Sequence, residues 1–350
     1  MYDFFVSDNV ILLSITSVSL VFSFILTPFI KETAKRAGVI DVPRDNRRMH
    51  KDAVPLMGGA AMIISFILTI LLFFNSYYEP VSNNVIFVVA GVLLCGVFGL
   101  LDDALALNPF YKLGFQTLLA AFSTFFISRI EAFTLFGRVF SLGAFSFPVT
   151  VFWILFMMNA INLTDGMDGL ASGVSAISAF SLSVLLFIYG ERDFSLLAVC
   201  VCGACLGFLL YNSNPASVFM GETGSAFLGF ILSTLSTRLF SSSNPSPVST
   251  VFLLFILPIS ETVSSFFRRI FSGKNPLLPD KKHIHHLLYN RGFSVRKICI
   301  ILYTFAAASS FSAVIYPEYG ALSALIFAAS IVFIRLSLDS EKKIYDHHIR

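Results

Sequence analysis

Asn159-Ala-Ile-Asn162-Leu-Thr-Asp165-Gly-Met-Asp168-Gly-Leu170 places two amides, two carboxylates, a hydroxyl and two glycines between long apolar runs. Charged groups at bilayer depth are costly and rare, so a cluster of them where an apolar segment ends points to a ligand site. Asn and Asp oxygens suit hard cations such as Mg²⁺. On a continuous helix, Asn162, Asp165 and Asp168 would recur every three residues and drift across neighbouring faces. Gly166 and Gly169 would interrupt that helix and admit backbone or ligand. The plainer reading is a polar loop punctuated by Asp-Gly turns. Repeated Asp-Gly behind paired Asn favours the ligand site.

Four further stretches carry chemistry. Leu101-Asp102-Asp103 closes an apolar run, and adjacent carboxylates there need a cation or donors to offset their repulsion. Phe219-Met-Gly221-Glu222-Thr-Gly224-Ser225 permits a tight turn, with Glu222 as its acid and a second candidate metal ligand; the plain alternative is a helix start capped by Thr223 or Ser225. Pro279-Asp-Lys-Lys-His283-Ile-His285-His286 has alternating histidines, but no third ligand class. Lys281 and Lys282 would repel a cation, so the cluster suits a pyrophosphate better than zinc. Arg47-Arg48-Met-His50-Lys51 to Gly58-Gly59 fits capture of an anionic substrate or lipid headgroups, the glycines serving helix packing. Cys202-x-x-Cys205 has zinc-like spacing without a second pair, and all five cysteines read as packing residues.

These groups must be positioned by membrane helices. The 350 residues are 56% hydrophobic and 13% charged, with a mean hydropathy of +0.81. A soluble domain carries about a quarter charged residues. Apolar runs at 10–30, 57–74, 85–101, 113–128, 146–162, 170–189, 194–211, 223–241, 249–267, 297–315 and 320–337 predict an all-α polytopic membrane protein of about eleven spans, a single domain over 1–350. No cleavable signal peptide is expected, because the first apolar run follows no basic region. With the N-terminus outside and the C-terminus cytoplasmic, twenty of the 24 Lys and Arg residues fall on inner faces. Every polar cluster above then faces the cytoplasm. The outer stretch 129–145 has the pattern of a small hairpin. The net charge of +3 gives no reason to expect nucleic-acid binding. Exposed apolar faces are compatible with a homodimer, though nothing in the sequence specifies one.

Acids, amides, a candidate Mg²⁺ site and a basic wall at one face, without a P-loop, fit phosphoryl chemistry between a cytosolic nucleotide and a lipid. The rival is a cation-coupled transporter, which predicts acids near the bilayer midplane.

The same stretches, in order along nearly the whole chain, resemble the polyprenyl-phosphate N-acetylhexosamine-1-phosphate transferases. The resemblance implies transfer of a sugar-1-phosphate from a UDP-sugar to undecaprenyl phosphate, with Mg²⁺ (or Mn²⁺) dependence and release of UMP, at the inner membrane. It assigns Asn162 and Glu222 to the metal, and Asp102 or Asp103 to the lipid phosphate. Lys51, Asp168 and Phe219 would contact the nucleotide, Phe219 by stacking on uracil. His283, His285 and His286 would contact phosphates or sugar. Asp165 joins Asp102 and Asp103 as a catalytic candidate, and Asn159 is a substrate-binding candidate. Glu222 and Glu261 stand where the family usually has Asp. The His-x-His-His pattern and an extra final span resemble the branch using UDP-GlcNAc, with another UDP-N-acetylhexosamine or UDP-MurNAc-pentapeptide as alternatives. On this basis Asp103→Asn is expected to lower turnover while sparing UDP-sugar binding.

Overall fold

In a computed structural model, residues 2–42, 53–77, 82–241, 243–271, 273 and 283–315 are described. Lys51, the Arg47–His50 run, Lys281, Lys282 and the expected span 320–337 lie outside the described residues.

Apolar segments cannot leave backbone N–H and C=O groups unpaired in lipid, so they become helices. The order is α1 (Tyr2–Arg36), α2 (Gly59–Tyr77), α3 (Asn83–Leu105), α4 (Pro109–Phe126), α5 (Ser146–Thr164), α6 (Leu170–Ile188), α7 (Arg192–Asn212), α8 (Gly221–Ser236), α9 (Val248–Leu254), α10 (Ile256–Phe271), α11 (Ile284–Asn290) and α12 (Val295–Ile315). Two antiparallel strand pairs interrupt them: β1 (Ile40–Asp41) with β2 (Val54–Pro55), and β3 (Ala132–Leu135) with β4 (Arg138–Ser141). The second pair is the hairpin expected in 129–145. The first was not anticipated.

Six of the described helices are long and apolar enough to cross a membrane, and a bent pair makes a seventh. This is a multi-pass membrane protein. The expected span 249–267 is that bent pair: α9 and α10 meet at 92°. Pro258 explains the break. It lacks an N–H, and its ring excludes a straight helix through the carbonyl of Leu254. That carbonyl instead accepts hydrogen bonds from Ser178 Oγ at 2.8 Å and Ser310 Oγ at 3.4 Å, on α6 and α12.

Contacts between helices rest on small residues and hydroxyls, as expected where lipid offers no hydrophobic drive for association. Ser19 and Ser23 on α1 donate to the carbonyls of Cys200 and Ala204 on α7, each at 2.7 Å. The five cysteines are all free and buried, which bears out their reading as packing residues. Helix α8 is the central element. Its side chains are buried on almost every face, and α2, α3, α5 and α7 pack around it.

Topology can be tested because the native cysteines are inaccessible. A cysteine replacing Asn244 should react with an impermeant reagent outside intact cells. One replacing Asn108, in the loop before α4, should react only after permeabilisation. External labelling at Asn108 would reverse the orientation.

Candidate active site

Helix α3 ends with its acids already offset. Asp102, 4% exposed, receives the N–H of Leu107 at 2.9 Å on Oδ1 and lies 2.7 Å from Lys112 Nζ through Oδ2. Asp103 turns the other way and caps α8. Its Oδ1 accepts from the N–H of Glu222 at 2.7 Å, and its Oδ2 from the N–H and hydroxyl of Thr223 at 3.2 and 2.6 Å. A carboxylate at a helix N-terminus satisfies orphan donors and complements the dipole. Gly221 makes the approach possible: its φ is +69°, and a Cβ there would sit 2.4 Å from Asp103 Oδ2. The cap of α8 thus comes from Asp103, a different helix. Thr223, taken from the sequence as a local cap, is bonded to it.

Glu222 emerges from this first turn toward α4 and α5. Its Oε1 lies 3.0 Å from Lys112 Nζ, and its Oε2 accepts from Asn162 Nδ2 at 2.9 Å. The Asn162 amide also donates to Ser225 Oγ at 3.0 Å. The two residues expected to share a metal are therefore in contact. With Nδ2 engaged by protein, Oδ1 of Asn162 is left as the acceptor. Lys112, one of the twenty basic residues expected on inner faces, joins Asp102 to Glu222. Its signal was there: it is the one base between Asp102 and Arg129.

Asn162, Asp165 and Asp168 do not share a helix. Helix α5 stops at Thr164, Asp165 is its C-terminal cap, and the chain turns through Gly166–Gly169 into α6. Asp165 is part-buried. Desolvation pushes its carboxyl well above the usual carboxylate range, and the charges of Glu222, Asp103 and Asp168 push it further. Asp168 faces the 213–220 loop, where its Oδ2 accepts from Asn214 Nδ2 at 2.9 Å and the N–H of Ala216 at 3.0 Å. Asn159 is one turn below Asn162, exposed, and donates to Gln116 Oε1 at 3.1 Å. Phe219 is part-buried and bound through its backbone: its N–H donates to Pro55 O, and its carbonyl accepts from Gly58 N–H, both at 2.9 Å.

The histidines come from α11. Glu261 on α10 holds them, accepting the N–H of Ile284 on Oε1 and lying against His283 Nδ1 through Oε2, both at 2.8 Å. A carboxylate there fixes the orientation of the imidazole. His285 is 1% exposed, and neither ring nitrogen has a hydrogen-bond partner. It abuts the loop after α5: a Cβ on Gly166 would lie 2.7 Å from its Nε2. His286 is part-buried beside it, with ring centroids 4.6 Å apart. The histidine stretch and the Asn159–Leu170 stretch are thereby brought together.

Burial, and then the neighbouring His286 and His283, hold the His285 pKa well below its ordinary 6.5. A histidine kept neutral in the fold takes a proton more readily when unfolded, so stability is lost as pH falls below about 6.5. The thermal midpoint in detergent should drop between pH 7.5 and 5.5, and should drop less in His285→Asn. Equal slopes for the two proteins would remove His285 from the acid response.

Among the described residues no three His, Cys, Asp or Glu side chains form a ready metal cage. The donors do fit Mg²⁺, which takes one or two carboxylates and completes its shell from substrate phosphates and water. Glu222 and Asn162 Oδ1 are hard oxygen donors. Asp102, Asp103, Asp165 and Glu222 all lie at one end of the bundle. That is the arrangement of a face-directed site rather than a midplane ion path.

Known proteins resemble this chain in sequence. Residues 85–240 match the glycosyl transferase family 4. A probable undecaprenyl-phosphate N-acetylglucosaminyl 1-phosphate transferase of Bacillus subtilis is 34% identical, covering 91% of this chain and 89% of its own length. An undecaprenyl-phosphate alpha-N-acetylglucosaminyl 1-phosphate transferase of Thermotoga maritima is 36% identical, over 82% and 84%. A phospho-N-acetylmuramoyl-pentapeptide-transferase of Streptococcus pneumoniae is 32% identical, over 68% and 78%. On this likeness, along most of its length, the chain belongs to glycosyl transferase family 4.

Proposed function

We propose that the protein transfers GlcNAc-1-phosphate from UDP-GlcNAc to undecaprenyl phosphate, giving undecaprenyl-pyrophosphoryl-GlcNAc and UMP at the cytoplasmic face of the inner membrane. This begins synthesis of a cell-envelope glycan. The observation that carries the reading is the continuous polar chain from Asp102 through Lys112 and Glu222 to Asn162, built from four helices at one end of the bundle. The Bacillus and Thermotoga relatives, named for the same transfer, support it.

An oxygen of the lipid phosphate attacks the sugar-linked phosphorus, and the bond to the UMP phosphate breaks. Such transfers depend on positioning and charge neutralisation. Mg²⁺, when bound, neutralises the pyrophosphate, and Glu222 with Asn162 Oδ1 would hold it. Lys112 supplies a fixed positive charge at the same place. Asp165, whose carboxylate holds a proton more tightly than an ordinary one because it is desolvated, takes the lipid-phosphate proton on a carboxylate oxygen. Asp102 orients Lys112, and Asp103 holds the α8 N-terminus on which Glu222 sits. Phe219 stacks on uracil, with Lys51 and Asp168 also at the nucleotide. The histidine cluster contacts the phosphates or sugar through the part-buried His286, with His283 and His285 buried behind it, and Asn159 contacts substrate.

The test is purified protein with undecaprenyl phosphate, Mg²⁺ and a panel of UDP-sugars, following UMP. Release with UDP-GlcNAc and little with UDP-MurNAc-pentapeptide is expected. Release with the pentapeptide substrate alone would move the chain to the other branch. No release with any UDP-sugar would overturn the reading.

A further inference from the structure

The end of the bundle opposite the acids carries a feature that the transfer chemistry does not use. The β3–β4 hairpin turns through Phe136 and Gly137, whose φ angles are +49° and +73°. A two-residue turn with both central residues at positive φ favours Asn or Gly. Left-handed backbone is unfavourable for a residue that carries a Cβ. Turn chemistry therefore does not account for phenylalanine here. Packing does not account for it either, because Phe136 is 96% exposed. Val139 and Phe140 on β4 are exposed as well.

The hairpin is held along β3 and where the chain enters it. Thr134 donates through its N–H to Ser246 O at 3.1 Å and through its hydroxyl to Pro245 O at 2.8 Å. The N–H of Ile130 donates to Thr150 Oγ1 at 2.9 Å. The tip is thus presented on a fixed platform between the end of α4 and the start of α5. The side chains that bracket it, Phe126 on one side and Phe145 and Phe147 on the other, are apolar and exposed. Between 132 and 147 the single charged residue is Arg138. Its long stem can lie along acyl chains while the guanidinium stays at headgroup level.

We propose that the hairpin inserts Phe136, with Val139 and Phe140, into the bilayer leaflet at this end, the outer one by the Lys and Arg distribution. The insertion fixes the depth of the α4–α5 junction. Lipid is the occupant because the exposed apolar surface of the tip continues into that of Phe145 and Phe147 at the start of α5, one of the helices long and apolar enough to cross a membrane. A second copy of the chain would have to cover that surface too.

The test places tryptophan at the tip as Phe136→Trp in a Trp153→Phe background, which removes the one native tryptophan. The protein is reconstituted in phosphatidylcholine–phosphatidylglycerol vesicles containing chain-brominated lipid. Fluorescence should be blue-shifted and lost to bromolipid, and aqueous iodide should quench it far less than it quenches Ser243→Trp in the same background. Quenching by iodide and not by bromolipid would put the tip in water and overturn the proposal. Access by neither quencher would show a protein covering and overturn it equally. Trp153 donates to Ser236 Oγ, so a nitroxide on Phe136→Cys provides an independent probe with Trp153 kept. Its collision rate with oxygen should exceed that with a water-soluble nickel chelate, and the reverse order would overturn the insertion.

Discussion

Glu222→Gln should lower turnover by at least ~10²-fold, the scale expected when a charge-stabilising group is lost from a site. The variant keeps the size of the side chain. It removes the charge that Lys112 and Asn162 now converge on, at 3.0 and 2.9 Å, and sets an NH₂ group against one of these donors. Glu222→Asp keeps the charge but shortens the reach by one methylene, so it should keep partial activity with a weaker apparent Mg²⁺ affinity. The readouts are UMP release across a Mg²⁺ titration and calorimetric binding of UDP-GlcNAc. Activity of the unaltered protein should vanish in excess EDTA and return with Mg²⁺. A fully active Glu222→Gln would shift the proposed ligand set to Asn162 and Asp165. Asp103→Asn serves as the comparison. From sequence, nucleotide binding was expected to survive it. In the structure Asp103 accepts three hydrogen bonds from the first turn of α8, so both binding and turnover should fall.

Gly59→Ala should be among the most damaging single-methyl additions in the chain. The added Cβ would lie 2.1 Å from Gly224 N and 2.3 Å from its Cα, where only backbone could yield. Overpacking costs typically about 1–3 kcal/mol, and rigid neighbours put this case at the upper end or beyond. The start of α2 would be driven off α8, breaking the bonds from Gly58 and Gly59 N–H to the carbonyls of Phe219 and Met220. Unfolding temperature and UMP release should fall together. Gly114→Ala on α4 is the control, since nothing lies within 4 Å of its added Cβ. It should match the parent or be slightly more stable, because Ala is the better helix former. Equal behaviour of the two variants would mean that α2 and α8 separate freely.

The membrane architecture was legible in the sequence because long apolar runs permit almost nothing else, and the hairpin was legible because Gly137 and Gly143 punctuate apolar residues. The break at Leu254 was less so. Pro258 announces a disruption, but the hydroxyls that take up the freed Leu254 carbonyl, Ser178 and Ser310, are distant in sequence. In the site, residue type identified Asn162 with Glu222 and the histidine cluster. Partnership could not be read the same way. Asp102 and Asp103 are adjacent and alike, yet one faces Lys112 and the other α8, a division set by helix rotation. A lone lysine beside a membrane segment usually means only orientation, so residue type alone does not single out Lys112.

The lysine between Asp102 and Glu222 also bears on how the proposed metal is acquired. A tethered ammonium is a competitor that never diffuses away, with an effective concentration fixed by the fold. Free Mg²⁺ at Glu222 would have to displace it, so binary affinity for the ion should be weak. A pyrophosphate brings negative charge enough for both cations and removes the competition. By linkage the coupling is reciprocal, the ion tightening the nucleotide as much as the nucleotide tightens the ion. The resting enzyme would then be electrically closed and would recruit its ion together with UDP-sugar, an order of events written into the position of one amine.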